Sequence, residues 1–128
     1  MRSAIRVALA EDDHMVRAAL RRYLATEPGL HVAGEAADGN EALDLVRSTP
    51  VDVLLLDLSM PGLSGLEAIH KIRQAVPSVR IVVLSSHPAA RYSADVMRAG
   101  ASSYVQKGCD SSQIVRAVEA AAAEIREA

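Results

Sequence analysis

Four aliphatic residues in a row, Val53-Leu-Leu-Leu56, followed at once by the carboxylate of Asp57, constrain this chain more than any other stretch. A run without polar alternation fits a strand covered on both faces, which calls for helices above and below a parallel sheet. Pro61, Gly62 and Gly65 then end the strand, because proline lacks a ladder donor and glycine admits the angles of a tight loop. Ligands of open α/β sheets bind outside the carboxyl ends of the strands, so Asp57 is the first candidate for chemistry.

The pattern recurs along the chain. Residues 5–10, 30–35, 79–84 and 102–105 read as further strands, and the segments between them carry apolar residues at helical spacing. The first helix presents Val16, Ala19, Leu20, Tyr23 and Leu24, with Arg17, Arg21 and Arg22 on its wetter side, until Pro28-Gly29 stops it. Further helices are expected over 41–47, 65–75, 89–99 and 111–127, the fourth closed by Gly100 and the last opened by Asp110. Five strands alternating with five helices predict an α/β fold: a doubly wound, five-stranded parallel sheet with right-handed crossovers, one domain over residues 1–128.

Composition narrows the function classes. Half the residues are apolar, yet there is no Phe or Trp and only three Tyr, so the core must be aliphatic. Fourteen basic and sixteen acidic residues give a net charge of −2 with no basic block, which argues against nucleic-acid binding by this chain. Cys109 is the lone cysteine and permits no internal disulfide, and the N-terminus is too soon acidic for a signal peptide or membrane span. A cytoplasmic location without membrane contact is the expectation. His14, His31, His70 and His87 show no ligand spacing.

Polar groups stand at four expected strand ends: Glu11, Asp12 and Asp13 after the first, Asp57 after the third, Ser85 and Ser86 after the fourth, Lys107 after the fifth. In a parallel sheet these ends share one edge, so residues far apart in sequence can meet. Carboxylates gathered there need a cation, and a hard divalent ion with oxygen ligands, Mg²⁺ or Mn²⁺, satisfies them. A hydroxyl and an ammonium beside them suit a visiting anion, and phosphoryl is the anion that Mg²⁺ and lysine clamp together. Each group also has a plainer use. Asp57 could cap a turn, Asp13 suits a helix N-cap, Lys107 could be solvated, and Tyr104 could be core filling.

With those residues in order, the chain resembles the receiver domain of two-component response regulators over nearly its whole length. Glu11 and Asp12 match the family's acidic pair, followed five residues after the second acid by Arg17. Asp57, Pro61 and Gly65 match its Asp-x-x-x-Pro-x-x-x-Gly pattern, and Ser85 stands twenty-two residues before Lys107 as the family spacing requires. Tyr104 falls on the aromatic switch position. Details such as Arg98-Ala-Gly-Ala-Ser-Ser-Tyr104 and Lys107-Gly-Cys-Asp110 are most similar to the LuxR/FixJ (NarL) type, whose helix-turn-helix domain does not follow within these residues.

The resemblance implies the strand order 2-1-3-4-5 and a phosphoacceptor switch that assists its own chemistry, not a turnover enzyme. It implies that Asp57 accepts a phosphoryl group from the phosphohistidine of a sensor histidine kinase. Mg²⁺ would be held by Glu11, Asp12, Asp57 and the backbone carbonyl of Ser59, with Lys107 and Ser85 on the phosphoryl oxygens. Ser85 and Tyr104 would relay the event to the fourth helix, fifth strand and fifth helix. Ser59 and His87 would tune dephosphorylation. Homodimers would form through that same surface or through the first and last helices, and DNA would be reached only through an output domain outside this sequence. The alternative is a stand-alone receiver, or a docking module that is never phosphorylated. A haloacid-dehalogenase-like phosphohydrolase would carry a second Asp at the position of Ser59, and an FMN-binding flavodoxin would not place acids at its phosphate loop.

Overall fold

The computed structural model describes residues 4–58, 60, 64–86, 89–108 and 110–127. Ten elements alternate: β1 (Ile5–Ala10), α1 (His14–Ala25), β2 (Leu30–Ala36), α2 (Gly39–Ser48), β3 (Val53–Asp57), α3 (Gly65–Ala75), β4 (Arg80–Ser85), α4 (Ala89–Ala99), β5 (Ser103–Gln106) and α5 (Ser111–Glu127). All strand pairs are parallel, in the order β2-β1-β3-β4-β5. The expected architecture and strand order are therefore the observed ones. Strand ends move by a residue or so: β4 and β5 each begin and end one residue later than expected.

Strand alternation divides the core in two. Ala8, Leu54, Leu56, Ile81 and Val83 point to the face covered by α2, α3 and α4 through Ala42, Val46, Ile69, Ile72 and Val96. Val7, Leu9, Val53, Leu55, Val82 and Val105 point to the other face, covered by Leu24 of α1 and by Ile114, Val118 and Ala121 of α5. Leu54, Leu55 and Leu56 are at most 1% exposed, and burying each contributes about 2–3 kcal/mol. Among the described residues, the fully buried core holds no aromatic side chain.

Helix starts are fixed by their caps. Asp13, Asp38 and Ser64 accept hydrogen bonds from backbone N–H groups at the first turns of α1, α2 and α3. Asp110 does the same for α5 by accepting from Ser112, which lowers the pKa of its carboxyl. Gly100, at φ +120°, closes α4 in a conformation that L side chains rarely adopt.

One helix is turned differently from its sequence pattern. Val16 and Ala19 of α1 are exposed, whereas Arg17 is half-buried beside β2. The reason is polar: Arg17 finds acceptors on the sheet side, so the helix turns that flank inward.

Candidate functional site

Register places the polar residues in steps at the carboxyl edge. Ala10 lies opposite Leu56, Asp57 opposite Leu84, and Leu84 opposite Val105. Glu11, Asp57, Leu84 and Val105 thus stand at one level, Ser85 one residue above it and Lys107 two residues above. Two residues of strand rise span about 6–7 Å, which is why the group returning from β5 to Asp57 has to be a long one.

Alternation also sorts these side chains by face. Glu11, Asp57 and Lys107 continue the parity of Leu9, Leu55 and Val105, on the α1/α5 side. Ser85 and Tyr104 continue the parity of Val83, on the α3/α4 side, where Tyr104 packs against the core. One set forms a charged pocket, and the other lines the face beneath α4.

In the pocket, Lys107 Nζ lies 2.7 Å from Glu11 Oε1 and 3.4 Å from Asp57 Oδ1. Both acid side chains are only 4% exposed, while the lysine retains 30%. Burial is the largest single influence on Lys107 and lowers its pKa. The hydrogen bond to Glu11 and the charges of Asp57 and Glu11 together outweigh it, so the net shift is upward and the ammonium persists. Glu11 Oε2 accepts from the Asp13 N–H at 3.2 Å. Asp12 is exposed at the mouth of the pocket.

Glu11, Asp12 and Asp57 each offer a carboxylate oxygen within 4.8 Å of the others. Three hard oxygen donors at that spacing, two of them buried, fit a divalent cation of the Mg²⁺ type. Asp13, the third acid of the run, is turned away: its Oδ1 accepts from Met15 and Val16 N–H as the α1 cap. Ser85 is fully buried and Ser86 exposed, and the Ser85 carbonyl accepts the Lys107 N–H at 2.7 Å, so the two strand ends are tied at the backbone. Ser59, Pro61, Gly62, His87 and Cys109 lie outside the described residues.

Gly65 stands where the start of α3 comes closest to Leu58. A Cβ there would lie 2.7 Å from the Leu58 carbonyl oxygen and would also meet the Leu58 side chain. Leu58 itself is held by its N–H to the Leu84 carbonyl at 3.1 Å.

The sequence pattern did not single out Glu35. At the end of β2 it accepts from Arg17 Nε at 3.2 Å and lies 3.3 Å from Arg21 Nε. Its position on the same sheet edge was the available signal, but its partners are set only when α1 docks on β2.

A doubly wound parallel sheet with three acids and a lysine at one edge of its strands defines the receiver class of protein. The family model of the response regulator receiver domain matches residues 7–119, and the chain belongs to that family. It is 42% identical over 114 residues to the response regulator UvrY of Escherichia coli (strain K12), covering 89% of this chain and 52% of that one. Response regulator GacA of Pseudomonas aeruginosa is 36% identical over 114 residues, with 89% and 53% covered. The crystal structure of a LuxR-family two-component response regulator from Aurantimonas sp. SI85-9A1 superposes with a TM-score of 0.90 at 38% identity, covering 95% of this chain and 87% of that one. These relatives place the chain with the LuxR/FixJ type, and it spans about half the length of the curated relatives it matches. Among the described residues, no helix is long and apolar enough to cross a membrane.

Proposed function

We propose that this receiver accepts a phosphoryl group on Asp57 from the phosphohistidine of a sensor histidine kinase, in a Mg²⁺-dependent step. The observation that carries the reading is the approach of Glu11, Asp12, Asp57 and Lys107, brought from three strand ends to one pocket. An Asp57 oxygen forms the new P–O bond while the P–N bond to the imidazole breaks, the imidazole leaving with the electron pair and taking up a proton. Asp12 and Asp57 would hold the cation, with Glu11, already bonded to Lys107 and the Asp13 N–H, beside them. When bound, Mg²⁺ supplies positive charge for the phosphoryl oxygens. Lys107 supplies the protein's own share from 3.4 Å away.

Ser85 and Tyr104 share a face, and that supports a relay in which the Ser85 hydroxyl engages a phosphoryl oxygen and Tyr104 adjusts beneath α4. Ser59 would add its backbone carbonyl to the metal, and Ser59 and His87 would set the lifetime of the acyl phosphate. The changed surface of α4, β5 and α5 would pair with a second copy or act on a DNA-binding output domain, with α1 and α5 as the other pairing surface. Met97 of α4 is 45% exposed, an apolar contact that surface can bury.

Intact-mass spectrometry after incubation with Mg²⁺ and acetyl phosphate tests the reading. The expected result is one phosphoryl adduct on the wild type, abolished by EDTA and by Asp57→Asn. A folded protein that gains no adduct in Mg²⁺ would overturn it in favour of a docking module.

A further inference from the structure

Arg17 occupies a place that simple rules disfavour. It lies near the N-terminus of α1, where the helix dipole repels a cation, and its side chain is 18% exposed while neighbouring Val16 is 37% exposed. Specific contacts hold it there. Its Nη1 donates to the Glu11 carbonyl at 2.7 Å, and its Nε donates to Glu35 Oε1 at 3.2 Å. Its backbone N–H donates to the Asp13 carbonyl at 2.9 Å. The carbonyls on either side of Asp12 therefore both end on one residue.

The rest of that loop is pinned as well. The Glu11 N–H donates to the Ala36 carbonyl at 3.0 Å, at the end of the strand that carries Glu35. Asp12 is exposed, so its direction is set by its backbone. We propose that Arg17, braced by Glu35, is a positioning residue for the cation site: it fixes the peptide that carries Asp12, so that the metal meets a preformed donor set. The proposal rests on the metal-site reading above. Glu35 has a double part, since it orients the guanidinium and neutralises a charge that would otherwise repel the incoming cation.

Positioning and bare electrostatics predict opposite signs. Removing a cation beside an acidic pocket should by charge alone tighten Mg²⁺ binding, whereas loss of the brace should loosen it. The test is an NMR titration of backbone amides with Mg²⁺ alone, on wild type, Arg17→Gln, Arg17→Lys, Glu35→Gln and Arg21→Ala. Thermal melts in EDTA confirm that each variant is folded. Arg17→Gln should weaken Mg²⁺ binding about tenfold, the low end of what loss of an outer supporting partner costs. Arg17→Lys keeps the charge without the two-pronged geometry and should also weaken binding. Glu35→Gln should weaken it in the same direction, but losing a carboxylate would do so by charge alone, so Arg17→Lys, which keeps the charge, supplies the answer should Arg17→Gln not fold. Arg21→Ala loses a cation from the same carboxylate without touching Glu11, and should stay within about twofold of wild type.

The acetyl phosphate reaction gives a second readout. Half-maximal rate in Arg17→Gln should need more Mg²⁺, while the rate at saturating Mg²⁺ is retained. Unchanged or tighter Mg²⁺ binding in folded Arg17→Gln or Arg17→Lys overturns the proposal alone. Absence of Mg²⁺-induced shifts in the wild type overturns the metal-site reading and the proposal with it.

Discussion

Lys107→Met is the substitution that most directly weighs the charge balance of the pocket. Methionine keeps the length and the apolar stem but deletes the ammonium that touches Glu11 at 2.7 Å and Asp57 at 3.4 Å. Both carboxylates are 4% exposed, so the variant leaves two buried acids without their shared cation. Removing one partner of a buried pair costs about 3–5 kcal/mol. The lysine is 30% exposed and water can follow into its place, which brings the expectation down to about 2–3 kcal/mol. For a domain of this size that is a fall in Tm of about 8–12 °C, read by calorimetry in EDTA.

The same carboxylates are the proposed metal donors, so Mg²⁺ and the ammonium compete for them. Mg²⁺ should bind the variant about tenfold more tightly, which returns about 1.4 kcal/mol at saturation and narrows the gap in Tm. A variant as stable as wild type in EDTA would refute the ion-pair reasoning. A gap that Mg²⁺ leaves unchanged would refute the competition.

Gly65→Ala should destabilise by about 1–2 kcal/mol and slow phosphoryl acceptance, because its Cβ presses on the backbone of Leu58 beside Asp57. Gly34→Ala is the contrast, to be compared by urea melts: its Cβ meets only the flexible end of Leu45, so its cost should stay below about 0.5 kcal/mol. Asp13→Ala should cost about 1 kcal/mol through the lost α1 cap while leaving Mg²⁺ affinity, followed by NMR titration, within about twofold. The pKa of Lys107 is raised, so the stability it contributes is whole below the ordinary lysine value of 10.5 and is lost as pH climbs through the raised value. Wild type and Lys107→Met should therefore converge in stability in that alkaline window, as measured by melts across it.

The fold was legible because its signal is local. Val53–Leu56 and Ile81–Leu84 are unbroken aliphatic runs, and each helix carries its own stop or cap, as at Pro28-Gly29, Asp110 and Gly100. Glu11, Asp12, Asp57 and Lys107 could be proposed as neighbours because a parallel sheet collects its strand ends. Asp13 could be set apart as a cap by its place before α1. The orientation of α1 could not be read in this way. Arg17 and Glu35 stand eighteen residues apart, and only their contact across β2 explains why an arginine turns inward while Val16 faces water. Periodicity ranks residues by hydrophobicity, and an ion pair that draws the half-buried Arg17 onto the sheet reverses the ranking.

The residues with assigned chemistry leave from the carboxyl ends of the strands, while the chain re-enters the sheet at the opposite rim, around 26–29, 49–52, 76–79 and 100–102. A Cβ at Gly29 would meet nothing within 4 Å. For an engineer this is a division of labour: one rim carries the proposed site, and the other is a socket. A fluorescent reporter or a second binding module spliced beside Gly29 would load the far rim and leave the geometry of the acidic pocket as it is.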